Sequence, residues 1–92
     1  MRIEATGPFT HDYDRLPDQL KVQVDKQLTL LLSNLRHSSL RLKRVSGTRR
    51  LWEARVTRGY RLVLEIEGET IRLRRVGTHD TCPASMTEGT AT

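Results

Sequence analysis

The sequence has little of the chemistry that crosslinks small proteins or anchors them in membranes. Cys82 is the only cysteine, which excludes an internal disulfide framework and a zinc site built from several thiolates. No apolar run is long enough to cross a bilayer, and no segment has the pattern of a signal peptide. We therefore expect an intracellular, cytoplasmic protein with no membrane association.

Apolar residues are also scarce. Only 36% of the 92 residues are hydrophobic, and four are aromatic. This composition predicts one small domain near the lower size limit for a self-sufficient core. We assign residues 1–82 to that domain. We expect residues 83–92 to form a flexible polar tail, because they cannot bury enough apolar surface to order themselves.

Acidic residues are absent from residues 36–50 and few in the segment that follows. Residues 36–50 contain six Lys/Arg and no Asp/Glu, and residues 36–75 together contain twelve Lys/Arg and four Asp/Glu. A basic segment of this kind is typical of nucleic-acid binders. A solvated basic surface or a docking site for an acidic protein segment explains the charge about equally well.

The N-terminal third predicts one strand and two helices. Residues 1–6 can form an edge strand, and Pro8 suits the first position of a short helix. Pro17 opens a second helix that runs to about Asn34. Its apolar residues recur at helical spacing and predict packing against a sheet: Leu20, Val24, Leu28, Leu31 and Leu35.

Residues 51–79 alternate apolar and polar residues in three runs, which predicts an antiparallel meander with one buried face. A three-residue turn with Gly59 in the left-handed conformation would pair Val56 with Tyr60 and continue to Ala54–Leu62 and Trp52–Leu64. A type II′ turn at Gly68-Glu69 would pair Glu65 with Arg72 and place Arg61 opposite Val76. The predicted fold is α+β, a small antiparallel sheet of the N-terminal strand and the meander with two helices on one face.

This register gathers arginines on the polar face and ends the Arg61 strand beside residues 77–79. An arginine, further arginines and a histidine at one end of a sheet suggest a phosphate site. Arg61 could instead pair with Glu53 or Glu65, and Glu53 could be a base or only a partner for an arginine. Alternation places Trp52 and Tyr60 on the apolar face, which favours core packing over base stacking.

Seven segments together resemble the RelE/ParE toxin superfamily of type II toxin–antitoxin systems, and RelE/YafQ-like mRNA interferases most of all. They are Leu16-Pro17, the helix ending at Asn34, His37 to Lys43, Gly47, Trp52 to Val56, Gly59 to Val63 and Val76 to Asp80. The resemblance implies a RelE-like toxin domain that cleaves mRNA in the ribosomal decoding site, without metal or cofactor. It also implies a cognate antitoxin protein as partner, in a toxin–antitoxin hetero-oligomer.

Residue by residue, the resemblance implies that Arg61 contacts the scissile phosphate, that His79 acts as general acid or base, and that Lys43 assists cleavage. Further basic residues are expected to bind RNA: Arg41, Arg44, Arg49, Arg50, Arg55 and Arg74. Two alternatives share the fold. One is a ParE-like, non-enzymatic inhibitor of DNA gyrase, and the other is an inert homologue that only binds antitoxin.

Overall fold

A computed structural model describes residues 2–78. Strand β1 spans Arg2–Ala5, and helices α1 and α2 span Gly7–Asp14 and Asp18–Ser33. A 3₁₀ turn at Ser38–Leu40 leads to β2 at Lys43–Arg44. Strands β3, β4 and β5 follow at Leu51–Thr57, Tyr60–Glu67 and Thr70–Thr78. The five strands form one sheet in the order β1-β5-β4-β3-β2.

Both helices begin where the prolines predict. The Thr6 hydroxyl accepts a hydrogen bond from the Phe9 N–H at 3.4 Å and caps α1, with Pro8 in the first turn. Pro17 precedes α2, whose first turn carries Asp18, a charge that suits the positive end of the helix dipole. No helix within residues 2–78 is long and apolar enough to cross a membrane.

The core lies between the two helices and one face of the sheet. Val24 and Leu31 of α2 are fully buried, as is Leu40 of the 3₁₀ turn. The sheet contributes the fully or almost fully buried Ala54, Leu62, Leu64, Ile71, Leu73 and Val76. The predicted α+β fold is therefore confirmed, with the helices on one face of the sheet.

The predicted register holds through the middle of the meander. Trp52 lies opposite Leu64, Ala54 opposite Leu62, and Glu65 opposite Arg72. The Gly68-Glu69 turn is also as predicted, because Gly68 has a φ of 59° and its neighbours pair as Glu67–Thr70.

The first hairpin differs from the prediction at its tip. Thr57, not Val56, lies opposite Tyr60, and the register shifts between Arg55 and Thr57. The turn therefore has two residues, Arg58 and Gly59, and a bulge at Val56 keeps the apolar set on the core face. Gly59 is not among the residues with positive φ, so the left-handed conformation predicted for it is wrong.

A second bulge lies in β5. The register shifts after the pair Leu64–Leu73, so Val63 lies opposite Arg75. The partner of Arg61 is Gly77 rather than the predicted Val76. The cause is visible in the spacing of the buried residues, because Leu73 and Val76 are three positions apart and both must face the core.

The sheet is mixed rather than wholly antiparallel. Strand β1 runs parallel to β5, since the two helices carry the chain away from β1 before the meander forms. The two-residue strand β2 was not predicted, and it pairs Lys43 with Glu53 and Arg44 with Trp52. This pairing attaches the basic segment, residues 36–50, to the edge of the sheet.

Candidate nucleic-acid interface

A cleft of about 680 Å³ opens on the sheet face that carries no helix. Its walls come from β2 and the residues before it, from β3, and from the β3–β4 turn. We call it the basic cleft, and it is lined by Arg41, Leu42, Lys43, Glu53, Arg55, Thr57, Arg58 and Arg61. Five of these side chains are cations and one is a carboxylate, so the cleft attracts anions.

Glu53 lies between two of the cations. Its carboxylate is 3.4 Å from Arg61 Nη1 and 3.8 Å from Lys43 Nζ. The Glu53 side chain is only 19% exposed, whereas that of Arg61 is 38% exposed and that of Lys43 is 68% exposed. Glu53 therefore holds two basic groups in place while both remain accessible to a ligand.

Arg55 and Arg61 lie directly opposite each other on neighbouring strands. Like charges in this arrangement destabilise a sheet. Glu53 pairs with Arg61, but Arg55 forms no ion pair with any other residue in 2–78, and Arg58 at the tip of the hairpin is likewise without one. A bound phosphate would relieve this repulsion, because guanidinium groups match phosphate oxygens in charge and geometry.

The segment before β2 is held in a defined conformation. The His37 Nδ1 accepts a hydrogen bond from the Ser39 N–H at 3.1 Å and lies 2.8 Å from the Ser39 hydroxyl oxygen. Arg41 then has a φ of 45°, and it is the one non-glycine residue of 2–78 with positive φ. The left-handed conformation costs roughly 1–2 kcal/mol for a residue with a Cβ. Arg41 caps the 3₁₀ turn in this conformation, and its N–H donates to the Ser38 carbonyl at 3.2 Å.

Gln27 connects this segment to the sheet. This residue is 5% exposed, and its side-chain amide donates to the Arg55 carbonyl at 2.7 Å and to the Ser39 carbonyl at 3.3 Å. Gln27 thus connects the 3₁₀ turn to β3, which carries Arg55 of the basic cleft. Gln27 lies on the same face of α2 as Val24 and Leu31. Because it is polar, the apolar periodicity of the helix did not predict that it is buried.

Four of the predicted RNA-binding arginines do not line the basic cleft. Arg44 donates to the carbonyls of Thr48 and Arg49 and closes the turn before β3. Arg50 pairs with Glu67 at 2.7 Å, and Arg74 pairs with Glu65 at 3.4 Å. Arg49 is exposed on the turn beside them.

The arginines at the far end of the sheet are paired with glutamates. The hydrogen bond from Arg72 to Glu67, at 3.0 Å, lowers the pKa of that carboxyl, and the charges of Arg50 and Arg72 act in the same direction. The glutamates there offset most of the arginine charge, so this end attracts anions less than the basic cleft does.

Two features of the site were missed by the sequence analysis. One is Arg58, which lines the basic cleft. The other is the ion pair between Asp12 of α1 and Arg75 of β5, with an Nε–Oδ2 distance of 2.6 Å and an Nη2–Oδ1 distance of 3.1 Å. The β5 bulge allows Arg75 to reach Asp12 of α1. The three-residue spacing from Leu73 to Val76 is the feature of the sequence that could have predicted this bulge.

The predicted catalytic histidine, His79, lies outside the described residues. Strand β5 ends beside the first residues of β4, where Thr78 lies opposite Tyr60 and Gly77 opposite Arg61. Within residues 2–78, no group of His, Cys, Asp or Glu side chains is arranged to hold a metal ion.

Several solved structures of toxins have the same fold. YafQ from Escherichia coli BL21(DE3) has 19% identity and a TM-score of 0.76 over 88% of this chain and 96% of its own. The YoeB/ParE toxin from Agrobacterium tumefaciens has 15% identity and a TM-score of 0.74 over 86% of this chain and 99% of its own. RelE in the RelB–RelE antitoxin–toxin complex from Methanococcus jannaschii has 20% identity and a TM-score of 0.69 over 85% of this chain and 92% of its own.

These likenesses define the class as RelE-like toxin folds. At the level of sequence, residues 3–81 match the ParE toxin of the type II toxin–antitoxin system parDE. The match spans most of the chain, and the protein belongs to this toxin family. The family predicted from the sequence is thereby confirmed. None of the curated proteins matches the chain.

Proposed function

We propose that this toxin is a ribosome-dependent mRNA endonuclease, and that the basic cleft holds the phosphate at which the RNA is cut. The observation that carries the proposal is the set of five cations that line the basic cleft, two of which, Arg61 and Lys43, are held by Glu53. The fold similarity to YafQ and RelE supports it. The site would act in the cytoplasm, where translating ribosomes present mRNA.

The chemistry requires three kinds of group. When the 2′-hydroxyl of the RNA attacks the adjacent phosphorus, the P–O5′ bond breaks, leaving a cyclic phosphate and a free 5′-hydroxyl. A base removes the 2′-proton, an acid protonates the leaving oxygen, and fixed cations stabilise the phosphorane between them. Arg61 and Lys43 supply the cations, and no metal is needed for this step.

His79 is the proposed general acid or base. A histidine suits the role because its unperturbed pKa of ~6.5 allows both protonation states near neutral pH. Positioned acid or base groups contribute roughly 100- to 10,000-fold in rate. Glu53 serves in this account as the positioning partner of Arg61, since its carboxylate lies against two cations rather than open to substrate.

A cognate antitoxin is the expected inhibitor. The E. coli relative YafQ is crystallised with DinJ in a toxin–antitoxin complex, and RelE with RelB. We propose that an antitoxin of this chain forms a comparable hetero-oligomer with it. An acidic segment of that partner would suit the charge of the basic cleft.

The experiment compares growth and mRNA integrity after brief induction of the wild type and of Arg61→Ala. Arg2→Ala is the matched control, because it removes an exposed arginine from β1 at the opposite edge of the sheet. We expect growth arrest and mRNA cuts from wild type and Arg2→Ala, and neither from Arg61→Ala. Arrest with intact mRNA would favour a gyrase inhibitor, and no arrest would favour an inert homologue.

A further inference from the structure

The five cations of the basic cleft fall into two groups, according to whether a carboxylate holds them. Lys43 and Arg61 both lie against Glu53, at 3.8 Å and 3.4 Å. The other three form no ion pair within residues 2–78, the part of the chain that the structure describes: Arg41, Arg55 and Arg58. We call Arg55 and Arg58 the turn arginines, because they lie at the end of β3 and in the turn that follows it. No acid of the cleft compensates their charge.

The strand register separates the two groups in space. Lys43 lies opposite Glu53, and Arg55 lies opposite Arg61. These two rows are two residues apart along β3, which corresponds to roughly 7 Å. The ion pair with Glu53 draws the Arg61 guanidinium towards the row of Lys43, and so away from Arg55. Arg58 lies farther from that row than Arg55 does, in the β3–β4 turn.

The basic cleft has more positive charge and more room than one phosphate needs. Its cations outnumber its one carboxylate by four, whereas a phosphodiester carries a single negative charge. Its volume of about 680 Å³ is in the range of sites that bury drug-sized ligands. Successive phosphates of an extended single strand are separated by a distance comparable to that between the two rows. A second phosphate therefore suits the charge, the size and the spacing of the cleft together.

We infer that the basic cleft holds two successive phosphates, the scissile one at Arg61 and Lys43 and a flanking one at the turn arginines. The inference rests on the proposed function, because it takes single-stranded RNA as the ligand. Guanidinium groups suit a phosphate since they keep their charge and offer two donors in one plane. The flanking phosphate also offsets the repulsion between Arg55 and the arginine opposite it. Arg55 and Arg58 then bind substrate beside the bond that breaks, and they contribute to affinity rather than to the chemical step.

The probe is a thymidine trinucleotide with two charged phosphodiester linkages, which has no 2′-hydroxyl and is not cleaved. The matched probe has the same bases and sugars, but one of its linkages is a neutral methylphosphonate. Titration of isotope-labelled toxin, followed by nuclear magnetic resonance, measures Kd for both. We expect the wild type to bind the fully charged trimer roughly 5- to 10-fold more tightly, the low end of the range for hydrogen bonds to charged groups, because Arg58 is exposed.

Two double variants separate the flanking site from net charge. In Arg55→Ala with Arg58→Ala, the ratio of the two Kd values should fall close to one. This variant should fold, because Gln27 bonds the backbone carbonyl of residue 55 and not its side chain. The control, Arg2→Ala with Arg15→Ala, removes two exposed arginines that do not line the basic cleft. It loses the same charge and should keep the wild-type ratio.

The flanking site would be overturned by equal affinity of the wild type for the two trimers, or by no binding of the charged trimer. It would also be overturned if the ratio persisted without the turn arginines, or if it fell equally in the control, which would show an effect of net charge alone. The wild-type comparison decides the matter even if a variant fails to fold. Cleavage of mRNA in cells tests the proposed function separately. A toxin that cuts mRNA without the expected ratio loses only the flanking site, and one that shows the ratio but leaves mRNA intact loses only the nuclease.

Discussion

The ion pair between Asp12 and Arg75 is predicted to be the most costly polar contact to break in this fold. The Asp12 side chain is 7% exposed and that of Arg75 is 33% exposed. The carboxylate accepts two hydrogen bonds from the guanidinium and a third, at 3.2 Å, from the Val76 N–H. It therefore ties α1 to β5 just before the strand reaches the segment that leads to His79.

The magnitude follows from what Asp12→Ala leaves behind. Removing the carboxylate of a buried ion pair costs roughly 3–5 kcal/mol, because its hydrogen bonds and its attraction to the cation are lost together. Here the Arg75 side chain is one-third exposed, so water recovers part of that loss, and we expect about 3 kcal/mol. For a chain of 92 residues, this corresponds to a fall in Tm of roughly 12–24 °C.

The assay is urea unfolding and thermal unfolding followed by circular dichroism. Asp14→Ala is the control, since it removes an exposed carboxylate from the same helix, and it should change the free energy of unfolding by less than about 0.5 kcal/mol. The double variant Asp12→Ala with Arg75→Met should be less destabilised than the sum of the single variants. An Asp12→Ala variant as stable as the Asp14→Ala control would refute the reasoning.

Two further predictions concern other polar contacts. Gln27→Leu removes the side-chain donor to the Arg55 and Ser39 carbonyls. Urea unfolding should therefore show a free energy of unfolding about 1–3 kcal/mol lower than that of the wild type. The control Gln23→Leu, on the exposed face of α2, should leave the free energy of unfolding almost unchanged. The hydrogen bond to Asp25, and after it burial, raises the pKa of Tyr13. The stability that this raised pKa contributes is present below about pH 10 and is lost as pH rises through the folded-state pKa. A Tyr13→Phe variant that lost as much unfolding free energy at alkaline pH as the wild type would contradict this prediction.

The helices and the register of the meander could be predicted because local rules determine them. Pro8 and Pro17 mark helix starts whatever the rest of the fold does. Alternation fixed which face of β3 and β4 is buried, and the pairing of Trp52 with Leu64 followed from it.

The bulges and the site geometry depend on non-local contacts. The bulge in β5 exists because both Leu73 and Val76 must reach the core formed with the helices, and that displaced the predicted partner of Arg61 by one residue. Strand β2 is two residues long, too short for any periodicity to show. The tertiary contact of Gln27 with two carbonyls has no signature in the sequence at all.

The cations illustrate the same limit. The sequence analysis assigned one role, RNA binding, to six arginines: Arg41, Arg44, Arg49, Arg50, Arg55 and Arg74. The structure separates them, because Arg50 and Arg74 lie beside Glu65 and Glu67 while Arg55 lies opposite Arg61. Which arginines are neutralised depends on strand pairing, and only the structure shows it.

The most direct test of the central claim is to map mRNA 5′ ends on two reporter transcripts after induction of the wild-type toxin. The transcripts are identical except that one has an inactivated start codon and is not translated. A ribosome-dependent endonuclease predicts new 5′ ends inside the reading frame of the translated transcript and none in its silent twin. Equal cutting of both would contradict ribosome dependence, and growth arrest with neither transcript cut would contradict the nuclease itself.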